Sequence, residues 1–422
     1  MTVFAEALTH RGHRKNPVLR TPRINPPPVG RSRVALGLTA VAAYGNTLHL
    51  QTCKDCGAAQ YPPREACGRC LSDRLQWREQ PGGGELLAQT TLHHSNHLYF
   101  KERLPWRVGT IRLDAGPTVI VFLTESVPRA PGRVRVSVRL DRAGEPVLVA
   151  QPEHESAMHH DDKLQQETGC HPNGRNVLIS DGKTAVGQAL VRALVSAGAE
   201  TVWVGHAEPW KKHPGLAAIA NLPGVQLVPL DLTDAQSVAE VGGELGGKVD
   251  ILISNAEVNR THSIASRRGT DVARAEMDIN YFGLLRLSQA FAPALQARAA
   301  DGAHHAVAWV NLLSAFALSH YPAQGTYSAS KAAALSIAQG LRAQMLPHGI
   351  RVINVFPGPI DDEWNQNVPP PKLSPSALAT ATINALIQGV EDVYPGDVAQ
   401  EWVTRWRDNP KALEREIAHG GL

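Results

Sequence analysis

The 422-residue chain has no long apolar run, no large excess of either charge and few cysteines. No stretch approaches the roughly 18 consecutive apolar residues that span a bilayer, and the N-terminus lacks the apolar core of a signal peptide. Lys and Arg number 42 against 39 Asp and Glu, a net charge of +3 that provides no field to attract a polyanion. We therefore expect a cytoplasmic protein that has neither a membrane nor a nucleic acid as its partner.

Four of the five cysteines lie in two Cys-x-x-Cys pairs, separated by ten residues. They are Cys53, Cys56, Cys67 and Cys70. Each pair can bring two thiolates to one tetrahedral ion, and in a reducing compartment such a cluster favours a metal over disulfides. Four protein sulfurs leave no position for water, so the pattern predicts a structural zinc, with a rubredoxin-like redox iron as the alternative. Gly57 and Gly68 are expected to supply positive φ in the turns of the two pairs.

The length of the chain predicts two or three domains, and its composition changes along the sequence. The predicted parts are a flexible basic arm (1–33), a short helix with the zinc ribbon (34–84), an OB-like β-barrel (85–152), a polar linker (153–173) and a doubly wound parallel-sheet (Rossmann) domain (174–422). The arm has seven Lys or Arg against one Glu. Apolar strands alternate with helical patterns from residue 176 onward, which indicates an α/β fold with ligands at the carboxyl ends of its strands.

Five short β-runs follow the ribbon and predict a small barrel better than a sandwich. They cover residues 86–92, 107–113, 118–123, 134–140 and 146–150. Tyr99, Phe100 and Trp106 alternate with basic residues in this region, so a platform for single-stranded nucleic acid is an alternative interpretation.

Tyr327 and Lys331 stand four residues apart, so in a helix they project from one face. A phenol titrates at about pH 10, and acid/base chemistry at neutral pH therefore needs a positive charge that favours the phenolate. Lys331 would supply that charge, and Ser314, thirteen residues before the tyrosine, would hold a substrate oxygen. An ordinary amphipathic helix face is the alternative interpretation of this spacing.

With Asn280 in the sequence DINYFG, these residues resemble the short-chain dehydrogenase/reductase family from about Asn176 to the C-terminus. The resemblance implies that Tyr327 is the acid/base, Lys331 lowers its pKa and contacts a ribose, Ser314 orients a carbonyl and Asn280 positions a water. The cofactor-binding residues that it implies are Ser180, Gly182, Lys183, Val186, Gly187, His206, Asp231, Leu232, Asn255, Ala256, Tyr327, Lys331, Pro357 and Gly358.

The chain departs from the family pattern at two places in the cofactor region. The family loop Thr-Gly-x-x-x-Gly-x-Gly becomes SDGKTAVG at residues 180–187, where Asp181 adds bulk and a charge that would repel phosphate, while Lys183 could offset that charge. Glu257 stands where the family usually has glycine. The second strand ends at His206 without an acid for the NAD 2′-hydroxyl, so the cofactor is left open between NADP and NAD.

Residues 50–70, LQTCKDCGAAQYPPREACGRC, and 104–117, LPWRVGTIRLDAGP, resemble the zinc-ribbon/OB-fold proteins that accompany thiolases and aldolases acting on acyl-CoA thioesters. This resemblance covers about residues 34–152. It implies an acyl-CoA substrate and a thiolase- or aldolase-like partner. The leading interpretation is therefore an NAD(P)-dependent dehydrogenase/reductase that interconverts 3-hydroxyacyl-CoA and 3-oxoacyl-CoA, and the alternative is a non-catalytic scaffold that docks the partner.

A homodimer or tetramer is also expected, because members of the dehydrogenase/reductase family commonly pair through the helix that contains Tyr327. The small residues that would let two such helices approach closely are Ala332, Ala333, Ala334 and Ala338. The interface would be symmetric, with the same surface contributed by both copies. The alternative interpretation is that these alanines fill a core beside the sheet.

Overall fold

The computed structural model describes residues 34–155, 157–260, 262–266, 268–299 and 305–420. The basic arm predicted for residues 1–33 lies outside the described residues. The chain forms a three-stranded sheet, a closed five-stranded barrel and a seven-stranded sheet. Across the described ranges, no helix has both the length and the apolar character needed to cross a membrane.

The N-terminal part consists of a helix, the ribbon sheet and the barrel. Its elements are α1 (Ala35–Ala42), β1 (His49–Cys53), β2 (Ala59–Gln60), β3 (Leu75–Glu79), β4 (Gly83–Leu92), α2 (Leu98–Lys101), β5 (Trp106–Leu113), β6 (Thr118–Leu123), β7 (Arg133–Leu140) and β8 (Pro146–Pro152). The barrel closes in the order β4-β5-β6-β8-β7, and its five strands contain the five predicted β-runs. Alternation along β7 buries Val134, Val136 and Val138 in the barrel core, which explains why these runs were recognisable in the sequence.

The aromatic residues around α2 do not form a platform for nucleic acid. Tyr99 and Trp106 are buried, and the Tyr99 hydroxyl donates to Glu167 at 2.6 Å. Arg103 pairs with the same carboxylate at 2.7 Å. Two of the three rings in this interpretation therefore pack inside the protein and cannot stack on bases, which argues against a nucleic-acid platform.

Residues 153–173 are not the irregular tether that their polar composition predicted. The segment contains α3 (Lys163–Thr168), whose N-cap Asp162 accepts a hydrogen bond from the Leu164 N–H. Leu164 and Met158 are buried in one cluster with Trp106 of the barrel. The Cys170 N–H donates to the Leu386 carbonyl at 2.7 Å, so the segment contacts both halves of the chain.

The C-terminal part is a parallel sheet with helices on both faces. Its strands are β9 (Asn176–Ile179), β10 (Thr201–His206), β11 (Val225–Pro229), β12 (Ile251–Ser254), β13 (Ala308–Leu312), β14 (Arg351–Val355) and β15 (Asp392–Val393). Its helices are α4 (Ala185–Ser196), α5 (Pro214–Ala220), α6 (Ala235–Leu245), α7 (Asp271–Met277), α8 (Leu284–Arg298), α9 (Gly325–Met345), α10 (Pro375–Gln388), α11 (Asp397–Asp408) and α12 (Pro410–Ala418). A π-helical turn, Asp278–Gly283, joins α7 to α8.

The strand order β11-β10-β9-β12-β13-β14-β15 reverses direction between β9 and β12. Every residue of β12, β13 and β14 is buried, as expected for the central strands of a parallel sheet covered on both faces. Such a reversal leaves a crevice at the carboxyl ends of the two strands, where ligands bind in folds of this type. The predicted α/β Rossmann architecture is confirmed, and the crevice locates the candidate site.

A buried arginine joins the barrel to the parallel sheet. Arg351, the first residue of β14, donates from its Nη2 to the carbonyls of Leu140 and Asp141 at 3.0 Å each and faces the carbonyl of Thr168 at 3.5 Å. These carbonyls lie at the ends of β7 and α3, where burial removes the water that would otherwise bind them. A charged donor makes each of these hydrogen bonds stronger than a neutral one. The barrel, the α3 segment and the sheet therefore share one buried joint.

We predict that Arg351→Met lowers the free energy of unfolding by about 2–4 kcal/mol, because buried carbonyls lose a charged donor while most of the side-chain volume is kept. Urea denaturation followed by circular dichroism measures this change. The matched control is Arg192→Met on the exposed side of α4, for which we expect a change within about 0.5 kcal/mol. If both substitutions change the free energy of unfolding by the same small amount, the joint does not depend on Arg351.

Candidate active site

The four predicted metal ligands lie together in the ribbon. All four sulfur atoms are within 4.8 Å of one another, with Cys53 Sγ 3.6 Å from Cys70 Sγ and Cys56 Sγ 3.6 Å from Cys67 Sγ. Sulfurs that surround zinc tetrahedrally at about 2.3 Å are separated by about 3.8 Å, so the cluster has the dimensions of a closed zinc site. A backbone hydrogen bond from Cys56 lowers the pKa of the Cys53 thiol to about 7, which favours the thiolate that a metal requires.

The two turns of the ribbon use different residues for positive φ. Gly57, which follows Cys56, has φ of 69°, as predicted. In the second turn Leu71 takes this conformation, with φ of 60°, because it follows Cys70 in the same way. The prediction for Gly68 was therefore wrong, and its N–H donates instead to Gln60 Oε1 at 2.9 Å.

At the crevice in the parallel sheet, Ser180 and Asn255 connect the ends of β9 and β12. The Ser180 hydroxyl oxygen accepts hydrogen bonds from the N–H groups of Asn255 and Ala256, both at 2.9 Å. The Asn255 Nδ2 donates to the Asp181 carbonyl at 2.6 Å. Three of the predicted cofactor residues are thus held in one hydrogen-bonded cluster at the point where the strand order reverses.

Asp181 binds its own loop. Its carboxylate accepts hydrogen bonds from the Lys183 N–H at 3.2 Å and the Thr184 N–H at 3.3 Å. Burial raises the pKa of Asp181, and these two N–H groups oppose the change. The charge of Lys183 also opposes the rise in the pKa of Asp181, although its Nζ pairs with Glu208 at 3.1 Å and not with Asp181. Two of the loop N–H groups that could face a phosphate therefore already bind a carboxylate.

The remaining glycines allow this loop to pack closely. A Cβ at Gly182 would lie 2.1 Å from Val204 Cγ1 of β10, and a Cβ at Gly187 would lie 2.1 Å from the Asp181 carbonyl oxygen. Both contacts are far shorter than carbon or oxygen atoms tolerate, so only glycine fits. Gly182 supports the turn one position after the replaced glycine.

The remaining predicted cofactor residues follow the carboxyl ends of neighbouring strands or begin a helix there. They are Val186 in the first turn of α4, His206 at the end of β10, Asp231 and Leu232 after β11, and Pro357 and Gly358 after β14. The Asp231 carboxylate accepts hydrogen bonds from the Thr233 N–H and hydroxyl. The structure thus distributes the predicted set along one edge of the sheet.

The four predicted catalytic residues also lie at this edge. Tyr327 and Lys331 are buried on α9, Ser314 follows β13, and Asn280 lies in the π-helical turn. The side-chain amide of Asn280 is fixed by the backbone of Val258, whose N–H donates to it at 3.0 Å and whose carbonyl accepts from it at 2.9 Å. The Ser314 hydroxyl accepts a hydrogen bond from the Phe316 N–H at 3.2 Å.

Glu257 lies between the two key side chains of α9. Its Oε2 is 2.8 Å from Lys331 Nζ and accepts a hydrogen bond from the Tyr327 hydroxyl at 3.1 Å. Burial and the Glu257 carboxylate raise the pKa of Tyr327 well above its usual value, and a hydrogen bond with Ser314 opposes them. The expectation that Lys331 lowers this pKa is not met in this arrangement, because Glu257 neutralises the ammonium and disfavours a phenolate beside it.

A small cavity lies beside Glu257. A cavity of about 10 Å³ is lined by Thr184, Val186, Asn255, Glu257 and Asp362, among others. This volume is about that needed for one water molecule. This cavity is too small for a nicotinamide ring, and Glu257 is one of the residues that line it. The sequence indicated that Glu257 is unusual, but it did not show that Glu257 pairs with Lys331. The sequence analysis did not include Asp362 in the site, because this residue lies far along the chain from the motifs that mark the site.

Comparison with family models divides the chain in the same way as the structure. Residues 175–372 match the model of the short chain dehydrogenase family. Residues 46–76 match the ChsH2 rubredoxin-like zinc ribbon domain, and residues 77–143 match the ChsH2 C-terminal OB-fold domain.

Individual relatives match the C-terminal part. An uncharacterized oxidoreductase of Staphylococcus haemolyticus is 30% identical over 222 residues, which are 51% of this chain and 92% of the relative. Dehydrogenase/reductase SDR family member 7B of Bos taurus is 31% identical over 200 residues, 45% of this chain and 59% of the relative. The crystal structure of a short chain dehydrogenase from Burkholderia cenocepacia in complex with NADP is 34% identical, with a TM-score of 0.52 over 58% of this chain and 98% of that one. The chain therefore belongs to the short-chain dehydrogenase/reductase family of oxidoreductases, and carries a zinc-ribbon and an OB-fold domain of the ChsH2 type before the family domain.

Proposed function

We propose that the chain is an NAD(P)-dependent oxidoreductase that interconverts a 3-hydroxyacyl-CoA and a 3-oxoacyl-CoA. The observation that carries this proposal is the position of Asn280, Ser314, Tyr327 and Lys331 together at the carboxyl edge of the sheet. The ChsH2-type domains support an acyl-CoA thioester as the substrate class and a thiolase- or aldolase-like protein as the partner. A cytoplasmic location fits the free thiols of the four-cysteine cluster.

NADP is the cofactor that we favour. The Burkholderia cenocepacia relative binds NADP, and β10 of this chain ends at His206 without a carboxylate for a 2′-hydroxyl. The loop 180–187, Asn255 and the Pro357-Gly358 pair would hold the dinucleotide, which supplies or accepts the hydride when bound. In this proposal the nicotinamide end enters after the Glu257 side chain, which lines the small cavity and pairs with Lys331, moves away.

The residues of the chain would bind the substrate oxygen and move a proton. Ser314 would hold the oxygen, and Tyr327 would give its phenolic proton to it during reduction or take the proton during oxidation. Lys331 Nζ lies 5.6 Å from the centre of the Tyr327 ring. Once Glu257 moves away, the charge of this ammonium would no longer be neutralised by the carboxylate and would lower the pKa of the phenol. Asn280, fixed between Val258 and Ser330, would order the water that restores the proton.

A second candidate function is a non-catalytic scaffold that docks a thiolase or aldolase through the ChsH2-type domains. The observation that favours it is the presence of two carboxylates where a dinucleotide would bind. Asp181 accepts hydrogen bonds from two N–H groups of the loop, and Glu257 pairs with Lys331. In such a scaffold the Rossmann domain would be a folded support with a closed cleft.

We also propose a homo-oligomer that pairs through α9, on the basis of the family resemblance. Ala334 and Ala338 are buried in the core beneath the helix, so the predicted four-residue face was wrong in part. Ala332 is exposed and Ala333 is half-buried, and these two remain available for contact with a second copy.

Titration of the purified full chain with NADH and NADPH, followed by nicotinamide fluorescence, separates the two candidate functions. We expect saturable binding, with NADPH bound more tightly than NADH. Absence of binding by both nucleotides at millimolar concentration would favour the scaffold. Lys331→Met is expected to weaken binding, because the ribose contact is lost.

We predict that Tyr327→Phe leaves cofactor affinity unchanged and lowers kcat by about 100-fold or more, because it removes a transferable proton and little volume. The measurement is the steady-state rate of NADPH oxidation with a 3-oxoacyl-CoA. Tyr61→Phe is the matched control, since it makes the same change in the ribbon, where the ring packs against the barrel core. If Tyr327→Phe keeps more than about a tenth of the activity, Tyr327 is not the acid/base.

Metal removal should unfold the ribbon, because binding energy is folding energy in small thiolate sites. We expect one zinc per chain by metal analysis, and a loss of β-structure after chelation that leaves the parallel sheet largely intact. Cys53→Ser and Cys67→Ser should both lose the metal, whereas Cys170→Ser, outside the cluster, should retain it. If metal analysis of undamaged protein finds much less than one zinc or iron per chain, the four cysteines do not form a structural metal site.

A further inference from the structure

Lys331 is a buried cation, with 4% of its side chain exposed, and it therefore needs partners inside the protein. Its Nζ donates to the Leu312 carbonyl at 2.9 Å and pairs with Glu257 Oε2 at 2.8 Å. The same carboxylate oxygen accepts a hydrogen bond from Tyr327. The Glu257 carboxylate is thus the partner of both Lys331 and Tyr327. The proposed chemistry requires both of these groups to be free of it.

The backbone on both sides of Glu257 is fixed. Asn255 is hydrogen-bonded to Ser180 and Asp181, and Val258 is hydrogen-bonded through its N–H and its carbonyl to Asn280. The loop therefore cannot move the carboxylate away without breaking several bonds. Rotation of the Glu257 side chain, which is 12% exposed, is the simplest way to release Lys331.

In the loop before α4, a carboxylate of the chain also binds hydrogen-bond donors that a dinucleotide would use. The Asp181 carboxylate accepts hydrogen bonds from the Lys183 and Thr184 N–H groups just before α4. A pyrophosphate would use such N–H groups at a helix N-terminus, so it would have to replace this carboxylate. At two of the places where a dinucleotide would contact the protein, a carboxylate of the chain already occupies the hydrogen-bond donors.

We propose that Glu257 is an internal ligand of Lys331 that competes with the dinucleotide and so sets the affinity of the crevice for its nicotinamide half. This inference rests on the proposed function, since it assumes a crevice that can accept a dinucleotide. A ribose offers Lys331 neutral hydroxyl groups in place of a carboxylate. The ammonium would keep a charge-assisted hydrogen bond to a hydroxyl but would lose the Coulomb attraction of the carboxylate, which is strong in a buried site, so the exchange opposes binding.

Three variants compared by NADPH titration test this competition. Glu257→Gly removes both the charge and the volume, and we expect it to bind NADPH at least about tenfold more tightly than the natural chain. Glu257→Gln removes the charge and keeps the volume, so its affinity should lie between the two. Glu414→Gln, which removes an exposed partner of Lys411, is the matched control and should leave the affinity unchanged.

ADP serves as a second probe, because it contains the adenosine and pyrophosphate groups but no nicotinamide. We expect equal ADP affinities for the natural chain and the Glu257 variants. Thermal unfolding checks that each variant is folded. If Glu257→Gly does not fold, the comparison of Glu257→Gln with the natural chain still tests the competition.

The outcomes separate this inference from the proposed function. Tighter NADPH binding by the Glu257 variants with unchanged ADP binding supports the competition. Equal NADPH binding by the natural chain and both variants overturns the competition and leaves the proposed function in place. Absence of NADPH and ADP binding in every variant overturns the proposed function, and the competition with it.

Discussion

The need to neutralise a buried ammonium organises the crevice of this protein. Lys331 points from α9 toward the end of β13, where water is excluded and a lone charge would be very costly. The Leu312 carbonyl supplies one partner and Glu257 supplies the countercharge. The position of Glu257 follows in turn from the hydrogen bonds that hold the loop after β12 to Asp181, through Asn255, and to Asn280, through Val258. Burial and the Glu257 carboxylate together raise the pKa of Tyr327, so this arrangement favours the protonated phenol.

Much of the fold could be predicted because each element carried its own local signal. Alternating valines and turn residues marked the barrel strands, apolar runs marked the central parallel strands, and cysteine spacing marked the ribbon. The short helix α3 had no such signal, because it is polar and is stabilised by the Asp162 cap and by burial of Leu164 against the barrel. Its stability comes from tertiary contacts that composition does not reveal.

The sequence identified most residues of the candidate site, but it did not show which of them contact one another. Tyr327 and Lys331 are near neighbours in sequence, whereas Glu257 is seventy residues from the tyrosine it contacts. A glycine replaced by an acid signals a change in the site, but whether the new carboxylate faces water, a phosphate or a lysine depends on the folded loop. Lys183 illustrates the same limit, since it pairs with Glu208 and not with the adjacent Asp181. Membership of an oxidoreductase family does not by itself specify the reaction, which depends on such pairings.

The joint around Arg351 has a consequence for how the two halves can cooperate. Arg351 binds the barrel through backbone carbonyls, and Arg407 lies against Tyr44 on the N-terminal side of the same boundary. These contacts fix the direction from the barrel to the crevice, so the barrel is not a module swinging on a tether. The barrel therefore cannot search the space around the crevice as a domain on a flexible linker would. A partner enzyme that docks on the barrel would meet the crevice at a fixed angle and separation, and any passage of an intermediate between them would depend on that geometry alone.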